Sequence, residues 1–240
     1  MISIIIPTLN EENYLRRTLE NLRQIKNTRY EIIISDGRST DGTLRIAHDY
    51  TDKIAVYAGQ ERQTISNGRN LGAKEAAGNF LVFMDSDVII PEPDDFFRKL
   101  LAEFSQNENL VAATVKVWVL SEMEHFGDKI LFGLLNFINR VNNNFFHKGS
   151  ASGEFQMMRK GVFEKSGGFN EKLVAGEDFE FFSRLSKIGQ TRMITDLCIY
   201  HSGRRVHKVG WMKTMGLWVA NYLSTVFFKK AASKEWKVIR

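Results

Sequence analysis

One cysteine, three prolines and no long uninterrupted apolar run set the first limits on this 240-residue chain. Cys198 stands alone, so an intrachain disulfide framework and a Cys-x-x-Cys metal site are excluded, and a reducing compartment is expected. The few prolines, with no Pro/Gly/Ser-rich stretch, exclude a long flexible linker. A Gly-x-Gly-x-x-Gly loop is missing, which argues against a dinucleotide cofactor. The longest apolar-rich stretch, 211–228, is broken by Lys213, Asn221, Ser224 and two threonines, and is too polar to read as a membrane span. Met1 runs straight into a strand-like segment without a basic region before it, so no secretory leader is expected.

Hydrophobic residues make up 43% of the chain and charged residues 25%, an ordinary composition for one large domain with a small extension. Lys plus Arg number 33 against 28 Asp plus Glu, a formal net charge of +5. Residues 1–120 carry 14 basic and 17 acidic side chains, residues 121–200 carry ten of each, and residues 201–240 carry nine basic and one acidic. The excess is a C-terminal property. A nucleic-acid binder would spread it over a face of the main domain, so no nucleic acid is expected. A basic tail points instead to phosphates, anionic lipid or simple solubility.

The first 90 residues alternate strand and helix signals. Ile2–Ile6 reads as a buried parallel strand, Asn10 as an N-cap and Glu11–Ile25 as a helix with Leu15, Leu19, Leu22 and Ile25 on one face. Strands are expected at Tyr30–Ser35, Lys53–Tyr57 and Phe80–Met84, with helices from about Thr43 and over Gly68–Ala77. This rhythm implies an α/β fold: a mostly parallel, Rossmann-like sheet flanked by helices. Further on, helices are expected at Asp94–Phe104, Glu122–Phe146, Glu177–Ile188 and Val209–Lys230, and strands at Val111–Val119 and Phe155–Met158.

In an open parallel sheet, ligands sit beyond the carboxyl ends of the strands. Three expected strands end in polar clusters: Pro7-Thr8-Leu9-Asn10-Glu11, Ser35-Asp36-Gly37 and Asp85-Ser86-Asp87. Two carboxylates one residue apart can face one side and hold Mg²⁺ or Mn²⁺ against substrate phosphates; alone they read more readily as a capped, solvated loop, but after the apolar run 80–84 and beside two other polar strand ends they favour a site. Asp36 offers acceptors to a base or ribose, or its loop is simply a turn. Taken singly, Arg69 is a helix-surface arginine or an anion ligand, and His201, just past the apolar Cys198-Ile199-Tyr200, is more often structural. Arg204 and Arg205 form a solvated basic turn or a mobile diphosphate clamp. Glu177 and Asp178 open a helix, where acidic residues also complement the dipole.

The ordered set Ile4-Ile5-Ile6-Pro7-Thr8-Leu9-Asn10-Glu11-Glu12, Asp36-Gly37-Arg38-Ser39-Thr40-Asp41-Gly42-Thr43, Gly68-Arg69-Asn70-Leu71-Gly72-Ala73, Asp85-Ser86-Asp87, Gly167-Gly168-Phe169-Asn170-Glu171 and Gly176-Glu177-Asp178 resembles the GT-A glycosyltransferases of family 2 over about residues 1–205. The resemblance implies an inverting enzyme that uses a nucleoside-diphosphate sugar and Mg²⁺ or Mn²⁺. By it, Pro7, Thr8, Glu11, Asp36, Arg69, Asp85, Arg204 and Arg205 would bind the donor. Asp85, Asp87 and His201 would hold the metal, Asp178 would be the general base, and Glu177 would help position it or the acceptor. The Gln-x-x-Arg-Trp signature of processive synthases is missing, which favours transfer of a single sugar.

Residues 1–90 are thus expected to form a nucleotide-binding half, 91–205 an acceptor half, and 206–240 a basic amphipathic helical extension. Trp211, Met215, Trp218 and Tyr222 form one stripe of that extension, with Lys213, Asn221 and Ser224 on another side. Surrounding lysines, including Lys208, Lys229, Lys230, Lys234 and Lys237, suit an interfacial helix on anionic lipid, with packing on the domain or a homodimer partner as the alternative. A lipid-linked acceptor hydroxyl and a cytoplasmic protein, peripheral on the cytoplasmic face of a membrane, are the matching expectations. Two other functions compete: a nucleotidyltransferase, disfavoured because no Gly-rich basic loop follows the first strand, and a non-catalytic nucleotide-sugar-binding or membrane scaffold module.

Overall fold

The computed structural model describes residues 1–228 and 230–233. The strands are β1 (Ile2–Thr8), β2 (Tyr30–Asp36), β3 (Ile54–Val56), β4 (Phe80–Met84), β5 (Leu110–Val119), β6 (Phe155–Arg159) and β7 (Gln190–His201). The helices are α1 (Leu15–Leu22), α2 (Thr43–His48), α3 (Ile65–Lys74), α4 (Pro93–Gln106), α5 (Phe126–Asn144), α6 (Lys160–Ser166), α7 (Glu177–Leu185), α8 (Arg204–Val209) and α9 (Trp211–Phe228). One sheet has the order β3-β2-β1-β4-β6-β5-β7. Strands β1 to β4 run parallel, β6 runs antiparallel to both β4 and β5, and β5 and β7 are parallel. Thr8 pairs with Asp36 in register, so the polar ends of β1 and β2 lie side by side.

Alternation along β1 divides the core between the two faces of the sheet. Ile4 and Ile6 join Leu15, Leu19 and Leu22 of α1 and Phe96 and Phe97 of α4. Ile5 points the other way, to Ala73 of α3 and to Phe163, Phe169 and Phe181. Helix α3 approaches β1 closely at Gly72, where an added Cβ would lie 2.5 Å from Ile5 Cγ2.

Several expected boundaries move. Asn10 does not cap α1, which starts after Tyr14. Its φ is +56°, a region that asparagine tolerates, its amide donates to Ser39 Oγ (2.7 Å), and its Oδ1 accepts from Thr40 N (2.7 Å). The β1–α1 loop is thereby tied to the β2–α2 loop. Helix α3 starts before Gly68, because Thr64 and Asn67 form a capping box. The C-terminal helix is divided into α8 and α9 by Gly210, whose φ is +93°.

The structure also gives the orientation of the extension. Thr214, Asn221 and Thr225 of α9 are buried, while Met212, Met215, Val219, Tyr222 and Leu223 face outward. Helix α5 is arranged the same way. Asn136, Asn139 and Asn143 face the domain, with Asn136 bonding both backbone groups of Val117 at 3.0 Å, while Phe126, Ile130 and Phe137 are exposed. The last part of the expected extension, including Lys229, Lys234 and Lys237, lies outside the described residues. Among the described residues, no helix is long and apolar enough to cross a membrane.

Candidate active site

Among the described residues, Arg69 is the largest fully buried side chain, so its helix-surface reading is excluded. It leaves α3 beneath the end of β4 and meets both halves of the chain. Its guanidinium pairs with Asp178, with Glu177 at 3.2 Å and with Asp85 at 3.8 Å, and donates to the Gly153 carbonyl at 3.0 Å. A Cβ at Gly153 would stand 2.7 Å from Arg69 Nη2 and 2.9 Å from Asp178 Oδ2, so only glycine leaves room there. The Phe169 ring lies 5.1 Å from the guanidinium carbon. Burial opposes this charge, but Asp178, Glu177 and Asp85 outweigh it and hold Arg69 firmly protonated.

One arginine cannot neutralise three carboxylates, and the acids respond to the shortfall. Burial first, then the Asp178 charge, push Glu177 up to about 8 against the pull of Arg69. Loss of water, together with Glu154, Asp87 and Asp178, raises Asp85 well above the usual carboxylate range, again against Arg69. Asp85 still shows 37% of its side chain and Asp178 22%, whereas Asp87 shows 4% and Glu177 5%. Asp85 and Asp178 are therefore the acids that solvent reaches. Gln156, which the motif reading missed because a buried strand glutamine carries no spacing signal, donates to Asp178 Oδ1 at 3.2 Å.

A second cluster links β1 to α8. Arg204 donates to both oxygens of Glu11 (2.6 and 3.0 Å), pairs with Asp87 at 3.3 Å, and lies 4.7 Å from the centre of the Tyr14 ring. Ser202, also missed by motif, donates to Asp87. Arg204 and Arg205 open helix α8 and do not sit in a loop. Arg205 feels both Asp85 and Glu154, while burial lowers its pKa. Asp36 is fully buried and accepts from Thr8 Oγ1 (2.9 Å), Ser39 N (2.7 Å) and Ser39 Oγ (2.6 Å). Its carboxylate thus holds the loop as well as facing the strand ends. Pro7, just before Thr8, packs where α3 passes at Gly68.

The donor set fits a divalent cation. Asp85 and Asp87 are hard oxygen ligands, and the buried His201 Nε2 has no hydrogen-bond partner. His201 packs edge-on to Phe132, with ring centroids 4.8 Å apart, directly before the Ser202 that holds Asp87. The three side chains are not gathered as a ready cluster: among the described residues, the acids and imidazoles that converge within 4.8 Å are His125, Asp128 and His207.

A Rossmann-like parallel half that continues into an antiparallel strand, with carboxylates collected at the strand ends, defines the GT-A class. The chain belongs to glycosyl transferase family 2, whose sequence profile matches residues 3–167. Among solved structures, it is similar to a Pyrobaculum calidifontis mannosyltransferase in complex with GDP-Man and Mn²⁺ (TM-score 0.71, 20% identity, covering 95% of this chain and 63% of that one). Staphylococcus aureus TarS in complex with UDP-GlcNAc superposes with a TM-score of 0.64 at 18% identity, over 94% of this chain and 73% of that one. A curated relative, the Methanococcus voltae dolichyl N-acetyl-alpha-D-glucosaminyl phosphate 3-beta-D-2,3-diacetamido-2,3-dideoxy-beta-D-glucuronosyltransferase, is 28% identical over 213 residues, 78% of this chain and 62% of that protein. A Campylobacter jejuni GalNAc(5)-diNAcBac-PP-undecaprenol beta-1,3-glucosyltransferase is 27% identical over 73% of this chain and 57% of its own length. TarS itself is 37% identical over 91 residues, only 16% of its length, so the chain spans part of each of these curated relatives.

Proposed function

We propose that this chain transfers one sugar, with inversion, from a nucleoside-diphosphate sugar to the hydroxyl of a lipid-linked acceptor. The observation that carries this reading is Arg69, which joins Asp85 at the end of the donor-side strand β4 to Glu177 and Asp178 on α7. Asp178 takes the acceptor proton: Arg69 and Gln156 fix its Oδ1 and so orient the carboxylate. The acceptor oxygen then bonds to the anomeric carbon, and the bond to the diphosphate breaks with its electron pair on the departing oxygen. Attack opposite the leaving group inverts the centre, through an oxocarbenium-like transition state. Pro7, Thr8, Glu11 and Asp36 line the nucleoside side, and Arg204 with Arg205 face the diphosphate. Asp85, Asp87 and His201 would hold Mg²⁺ or Mn²⁺, which neutralises the leaving charge when bound.

The lipid part of the reading rests on α5 and α9, which bury several amide and hydroxyl side chains and leave Phe126, Ile130, Phe137, Met212, Val219 and Leu223 exposed. Two relatives have lipid-linked compounds in their names, which supports it. Residues 1–205 would then form the transfer domain and 206–240 its membrane-facing extension.

The decisive experiment combines binding and turnover. Nucleoside diphosphates should raise the melting temperature in the presence of Mn²⁺, since a ligand that binds only the folded state stabilises it. Asp178→Asn should keep that shift and lose ~10²-fold or more of transfer, whereas Asp87→Asn should lose both. Wild-type turnover in Asp178→Asn would remove the base assignment. A melting temperature unmoved by any nucleotide would remove the donor.

A further inference from the structure

His125, Asp128 and His207 form a second constellation that the transfer chemistry does not use. His125 precedes α5, Asp128 lies in its first turn, and His207 lies in the last turn of α8. His125 Nδ1 is 3.2 Å from His207 Nε2, His207 Nε2 is 2.8 Å from Asp128 Oδ2, and Asp128 Oδ2 is 3.6 Å from His125 Nδ1. Atoms bound to a tetrahedral zinc at about 2.0–2.1 Å stand ~3.3 Å from one another, so this triangle already has the edges of one face of such a site. Without a cation, one proton on His207 Nε2 can join His207 to Asp128 but cannot also bridge the two imidazole nitrogens and the His125–Asp128 pair. A cation receives one lone pair from each.

The surroundings support a built site. Asp128 is 1% exposed, and its other oxygen accepts from Trp211 Nε1 at 2.8 Å, while the His125 amide donates to Oδ2 at 2.8 Å. Such outer partners fix the direction of a ligating carboxylate. His125 is 60% exposed, which leaves a path for the ion and a position for a water as fourth ligand. Two imidazoles and one carboxylate suit a borderline ion better than Mg²⁺, which prefers oxygen alone.

We infer that His125, Asp128 and His207 form a Zn²⁺ site that fastens α8 and the start of α9 to the N-terminal end of α5. Zinc there holds α8 in place, and Arg204, one turn before His207, carries the contacts to Glu11 and Asp87. The site goes beyond sugar transfer and does not depend on it.

The test is calorimetric titration of the chelator-treated 240-residue chain with Zn²⁺, in saturating Mg²⁺ so that the donor-side acids are competed. One equivalent should bind with micromolar or tighter affinity and raise the melting temperature. His125→Ala, at an exposed position, and His207→Ala should each weaken binding ~100-fold, with circular dichroism little changed for His125→Ala, which gives up only the side-chain half of the α5 capping box. Asp87→Asn should retain the equivalent. Co²⁺ should give the visible absorption of a tetrahedral ion with the wild type and not with His125→Ala. Unchanged zinc affinity in His125→Ala, loss of the equivalent in Asp87→Asn, or no binding by the wild type would each overturn the site.

Discussion

Glu177 and Asp178 are neighbours in sequence with different surroundings: the first is sealed, the second is partly open to solvent. Glu177 loses its proton near 4.5 in an unfolded chain and at about 8 in the folded one. Between those values the native state holds more protons than the unfolded state. Its contribution to stability is therefore complete below pH 4.5, falls as pH rises, and is gone above about pH 8. Asp85, also raised, acts in the same direction. Glu177→Gln should remove the penalty, so its melting temperature relative to wild type should rise by on the order of a few °C between pH 5 and pH 9. A constant offset across that range would contradict the assignment. The sequence made these acids visible through their order. It did not show that Arg69, over a hundred residues earlier, would be buried against them.

At the scale of elements, legibility followed burial pattern. The β-branched run of β1 and the leucine stripe of α1 could be read directly, since each buries one regular face. Helix α6 escaped because seven residues with only Phe163 buried make no periodic stripe. Strand β7 was not anticipated, and its pairing is irregular: Ile194 faces Val115, but Cys198 faces Lys116. The close seat of α3 on β1 depends on Gly72, and through it the position of Arg69. Gly72→Val should cost roughly 1–3 kcal/mol by overpacking against Ile5, measured by urea denaturation, and weaken nucleotide binding by moving α3. Full stability in that variant would mean that α3 is free to lift from the sheet.

Across the whole molecule, α5 and α9 share one feature: each buries amide or hydroxyl side chains against the domain and leaves several large apolar side chains exposed. On the proposed membrane reading, Ile130 and Phe137 of α5, 59% and 62% exposed, would supply part of the contact. Ile130→Ser with Phe137→Ser should reduce co-sedimentation with anionic vesicles several-fold while leaving the melting temperature unchanged. Equal sedimentation of variant and wild type would remove α5 from the contact, and a wild-type dimer dispersed by the double substitution would assign this face to a second copy instead. The sequence by itself determined the α/β order, the family motifs and the concentration of positive charge at the C-terminal end, because hydrophobic periodicity and short spacings are local properties. Only the tertiary structure decided which way α5 and α9 face, that Arg204 reaches back to Glu11, and that His125 and His207 meet at Asp128. Those contacts join residues tens to hundreds of positions apart, and a chain reveals such neighbours only once the sheet has fixed where each strand ends.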